Sequence, residues 1–148
     1  MRAQPNPFLV AGAILSAIAA ALHLACIYFG GPWYRLMGAG EQMARLAESG
    51  STFPAMITSA IAAMLLVWSL YALSGAGVIR RLPLLRSILC AITAFYLLRG
   101  FAFVLLMAVV PGRSFRFWLW SSAICAVYGM VHAVGLKQVW PLLRPRSA

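Results

Sequence analysis

Apolar residues fall into four long runs, 8–29, 55–73, 87–110 and 117–136, separated by shorter stretches rich in turn formers and charges. Each run has about 19–24 residues, enough at 1.5 Å per residue to cross a hydrocarbon layer of about 30 Å. Backbone polar groups in lipid must be paired within the segment, so each run is expected to be a helix. Turn signals bound the runs. Asn6-Pro7 reads as a cap and first-turn proline, and Pro54 opens the second run. Ser74-Gly75-Ala76-Gly77 closes the second run and Pro111-Gly112 the third. The expected fold is all-α, an integral membrane four-helix transmembrane bundle forming one domain over residues 1–148. The first run exceeds the roughly 7–15 apolar residues of a secretory signal, and Arg2 is the one basic residue before it, so it is expected to remain as a span.

The longest polar interval is 30–53. Within "PWYRLMGAGEQMARLAE", Leu36, Met43 and Ala47 recur at helical spacing, and Glu41 and Arg45 are four apart. The pattern predicts a short external amphipathic helix, lying on the membrane or capping the bundle. Gly38 and Gly40 interrupt it, so a broken helix or a hairpin is the alternative.

Composition agrees with a lipid solvent. Of 148 residues, 64% are hydrophobic and 9% charged, against about 25% charged in ordinary soluble domains. The formal charge of +10 would fit nucleic acid, but the basic residues flank the apolar runs rather than gather on one polar face, so nucleic-acid binding is not expected. Arg2, Arg80, Arg81, Arg86, Lys137, Arg144 and Arg146 fall on one side, and Arg35, Arg45, Arg113 and Arg116 on the other. The positive-inside rule then puts both termini in the cytoplasm. "SAIAA" at 16–20 and 59–63 and "SAICA" at 122–126 read as small-residue seams for close helix packing.

The chemistry-bearing residues are few. Aspartate is absent and Glu41 and Glu48 are the only carboxylates, which argues against a divalent-metal site and a two-carboxylate hydrolase. Cys26, Cys90 and Cys125 lie in apolar runs without zinc-type spacing. No phosphate-cradling loop, HExxH or GxSxG occurs, and "GAG" at 75–77 follows no strand. A bis-histidine haem would need its ligands level. His23 lies about 7 Å outward of its helix midpoint and His132 about 7 Å inward of its own, so no cofactor is expected.

The sharpest feature is Arg99, in the middle of "FYLLRGFAF" (95–103). A guanidinium at that depth must face the bundle interior or water and find acceptors. Glu41 could reach it if the 30–53 segment folds into the bundle mouth. The other acceptors are carbonyls, Tyr28, Tyr96, Tyr128, water or an external anion. His23 lies within about 7 Å of Arg99 in depth. Arg99, His23 and Glu41 are therefore grouped as one outer-half ligand-binding site. The competing reading is a buried polar network that fixes helix register.

"HLACIYFGGPWYRLMGAGEQMARLAESG" (23–50), "WSLYALSGAGVIRRLPLLR" (68–86) and "YLLRG" (96–100) resemble an uncharacterised group of small bacterial four-span membrane proteins. That resemblance implies the four-helix topology and no chemistry. With one buried cation, few acids and no nucleophile–base set, the expectation is a non-enzymatic membrane protein. It would bind a membrane lipid, a small amphiphile, a membrane-protein partner or a second copy of itself. An oligomeric small-solute or proton-coupled transporter is the alternative; a lipid- or quinone-modifying enzyme using His23 as acid/base comes third.

Overall fold

The computed structural model describes residues 4–109 and 115–143, the side chain of Val104 excepted. Those residues form helices α1 (Pro7–Phe29), α2 (Gly31–Leu36), α3 (Glu41–Glu48), α4 (Phe53–Gly75), α5 (Leu85–Phe101), α6 (Phe103–Val109) and α7 (Phe115–Val139), with a closing 3-10 turn over Trp140–Leu143. No strand occurs among them. Three helices are long and apolar enough to cross a membrane: α1, α4, and α7 with its 3-10 extension.

Local chemistry explains the boundaries. Asn6 caps α1 as its sequence position suggests, its side-chain oxygen accepting from the Leu9 N–H at 3.0 Å, and Pro7 occupies the first turn. α4 carries Pro54 in its first turn. The third apolar run departs from expectation. It is two helices, of 17 and seven residues, parted at Ala102. The break follows Gly100, the one glycine in that run and its weakest helix former.

α1 packs along α4 and α5 along α7, and α1 joins the two pairs through α7. Small residues make these approaches. Gly12, Ser16 and Ala20 form one buried stripe on α1, and the Ser69 hydroxyl of α4 donates to the Ala13 carbonyl at 2.8 Å. A Cβ on Gly100 would lie 2.7 Å from the Ala126 backbone, and one on Gly129 would lie 2.9 Å from the Leu97 nitrogen. Larger apolar side chains point outward instead: Ile14 and Ile18 on α1, Met56 and Leu70 on α4, Ile124 and Met130 on α7. Small and polar groups inside with bulky apolar groups outside is the arrangement of a helical protein in lipid.

The two ends differ. At one end Asn6 hydrogen-bonds Gln138 and the Ala76 carbonyl, Arg81 donates to the carbonyls of Leu142 and Leu143, and Arg86 stacks 3.8 Å over Trp140. The other end is capped by α2 and α3. Tyr34 and Ala44 are buried there with Cys26, the Tyr34 hydroxyl bonds Thr58 at 3.1 Å, and Gly38 lies against the Phe117 ring. The 30–53 segment is thus a broken helix that caps the bundle. Leu36, grouped with Met43 and Ala47 by its spacing, is 70% exposed, and the turn at Gly38–Gly40 separates its helix from theirs.

Candidate functional site

Arg99 occupies the last turn of α5, where the C-terminal carbonyls favour a cation. Its side chain reaches α7. Nη1 donates to the Ser122 hydroxyl and Nη2 to the Ser121 hydroxyl, both at 2.9 Å, and the guanidinium carbon lies 5.0 Å from the centre of the Trp118 ring. Trp118, Ser121 and Ser122 are three and four apart, hence on one face of α7. Ser121 and Ser122 lie about 8 Å from the middle of α7 toward its Phe115 end. The break at Ala102 places Arg99 at the end of a shorter helix rather than in the middle of one continuous one.

The grouping of Arg99 with His23 and Glu41 finds no contact to support it: no hydrogen bond or ion pair joins the three. Glu41 opens α3 and is already paired. It accepts from Arg35 Nε at 2.8 Å and Nη2 at 3.0 Å, and from Arg45 Nε at 3.0 Å. Arg35 also holds Glu48. The expected Glu41–Arg45 pair is formed, whereas a Glu41–Arg99 pair is not. Arg35, and then Arg45, hold the Glu41 carboxyl down to about 2. Arg35 likewise lowers Glu48, and the two carboxylates raise Arg35 in return. All of these groups are exposed, so the network braces the cap without anchoring the fold.

His23 is half-buried, with Nδ1 2.7 Å from the Ala19 carbonyl. A carbonyl can only accept, so Nδ1 is the donor in this contact. His132 is held the same way, Nδ1 2.8 Å from the Tyr128 carbonyl, and it is fully buried against Gly12 and the Tyr96 ring. A Cβ at Gly12 would lie 2.7 Å from His132 Cε1, so glycine makes the space for this imidazole. Tyr96 bonds Ser16 across the bundle at 3.0 Å, and Tyr28 is 84% exposed. Neither tyrosine supplies Arg99.

The residues that do meet Arg99 were missed in the sequence reading. The signal was available: a tryptophan and two serines share one face of a helix that packs beside the arginine. An apolar groove of about 520 Å³ also lies on α5, lined by Ala94, Leu97, Leu98, Phe101 and Ala102. Arg99 does not line it, lying about 100° around the helix from Leu98.

No protein-family model, curated protein or solved structure matches this chain. What the fold defines is a helical protein with three apolar helices able to span a membrane, and the functional reading rests on the chain's own residues.

Proposed function

We propose that this is a small non-enzymatic integral membrane protein that binds a lipid or small amphiphile through Arg99. α5 and α6 together would make a fourth, broken crossing between α4 and α7. Both termini and the basic end would face the cytoplasm of a bacterial inner membrane, with α2 and α3 outside. The positive-inside bias supports that orientation.

The observation that carries the binding reading is a charge without a counter-charge. Arg99 has two neutral hydroxyls as hydrogen-bond acceptors, while both carboxylates of the chain are held by Arg35 and Arg45 at the cap. A guanidinium at membrane depth is costly and is usually paired. The balancing group must therefore come from outside the chain, and the surrounding solvent is lipid. Native mass spectrometry of the detergent-purified protein tests this. The wild-type chain should retain a defined amphiphile, Arg99→Leu should lose it while staying folded, and Arg99→Lys should restore little because an ammonium lacks the planar fork. Equal lipid retention by wild type and Arg99→Leu would refute the reading. Retention of a protein instead of a lipid would move it to a membrane-protein partner.

A further inference from the structure

The side chains around Arg99 narrow the chemistry of what binds there. Trp118 is 4% exposed, and its indole N–H meets no acceptor. The same ring carries the guanidinium on its face. Arg99 uses two of its five N–H donors on Ser121 and Ser122, which leaves three. Ser121 passes its own proton to the Trp118 carbonyl at 3.4 Å. Ser122 is 3% exposed and accepts from Arg99, so its hydroxyl proton remains available. The spare donors of the cluster therefore outnumber its spare acceptors, one lone pair on each serine, and its net charge is positive.

Three kinds of head group can be weighed against that inventory. An amine or choline head adds positive charge beside Arg99. A hydroxyl head accepts a bond without balancing the charge. An oxyanion supplies two or more acceptor oxygens and the missing negative charge, and its spacing matches a guanidinium fork. We propose that the Arg99 site takes the oxyanion head of an amphiphile, a carboxylate or a phosphate, held by the free guanidinium donors and the Trp118 indole N–H. This rests on the amphiphile reading above. Trp118 is then a direct ligand contact through its indole N–H, which no described protein group accepts.

The test is a titration of the full chain in neutral detergent, read as thermal stabilisation. The probes are oleate, dioleoyl phosphatidic acid, oleyl alcohol and inorganic phosphate. Oleate, phosphatidic acid or both should stabilise saturably, and whichever acts assigns the head as carboxylate or phosphate. Oleyl alcohol should do nothing. Trp118→Phe keeps the ring and removes the donor. It should weaken oxyanion binding by about tenfold or more while leaving the unliganded protein as stable or more so. Unchanged affinity in Trp118→Phe would overturn the role of the indole. Should that variant not fold, the probe series on the wild-type chain decides alone. If oleyl alcohol binds as well as oleate and depends on Arg99, the oxyanion inference fails and the amphiphile reading survives. If inorganic phosphate binds as tightly as phosphatidic acid, the oxyanion inference survives and the amphiphile reading fails. Binding by none of the four overturns both.

Discussion

Arg99 and Gly100 are neighbours whose roles depend on each other. Gly100 lets α5 approach the Ala126 backbone closely, and that approach brings Arg99 within 2.9 Å of two serines on α7. Gly100→Leu should therefore separate the helices. Overpacking of this kind costs about 1–3 kcal/mol, so a clear fall in melting temperature is expected, together with loss of any Arg99-dependent ligand response. Ala91→Leu, at an exposed position on the same helix, should leave both unchanged. Circular-dichroism melts of the two variants in detergent make the comparison. At this scale the sequence singled out Arg99 but not the serines that it meets. Charge balance suggested Glu41, but the i,i+4 pairing with Arg45 and the fork of Arg35 satisfy that carboxylate locally. Serine hydroxyls are harder to foresee as partners, because serine in an apolar helix reads first as a packing residue.

At the scale of elements, the cap is a pair of short helices that neither length nor propensity would hold. Buried Tyr34 and Ala44 seat it on the bundle, and Arg35 ties α2 to both ends of α3. This brace has a pH window. The Glu41 carboxyl titrates from 4.5 when unpaired to about 2 in the fold. A depressed carboxylate contributes fully above its unpaired value and loses its contribution as pH falls through the folded one. Amide protection across 41–48, corrected for intrinsic exchange, should thus hold from pH 7 to about pH 4.5 and fall between there and pH 2. Arg35→Gln should lower the same protection at neutral pH and leave α1 and α4 as protected as before. Protection indifferent to Arg35→Gln would show that Tyr34 and Ala44 hold the cap alone. Spacing made the Glu41–Arg45 pair and a short amphipathic segment readable, but left open whether that segment lies on the membrane or caps the bundle. The break in the third apolar run was not readable: the apolar residues resume beyond Ala102 with no proline, so Arg99-Gly100 reads as an interruption within one run rather than as the end of a helix.

For the whole molecule, helicity and lipid exposure were both evident in composition and run length, because the membrane constrains every residue in a span in the same way. The proposed orientation can be read directly. In a background lacking Cys26, Cys90 and Cys125, a cysteine replacing Ser49 should react with an impermeant maleimide on intact cells, and one replacing Val78 only after permeabilisation. Both positions are exposed, and they lie at opposite ends of α4. Labelling of position 78 alone would invert the assignment. The small-residue seam along Gly12, Ser16 and Ala20 has a consequence for how this chain can drift. In a water-soluble domain, substitutions are filtered mainly by polarity, with the interior demanding oil and the surface demanding charge. Here the outward faces of the long helices are already oily, and the filter becomes size. Outward positions such as Ile14, Ile18 and Met130 can exchange one bulky apolar residue for another with little effect, whereas a single added methylene on the seam pushes two helices apart. Variants of this protein should thus keep their small residues in register while their larger ones wander, and its structural fingerprint is written in volume rather than in hydropathy.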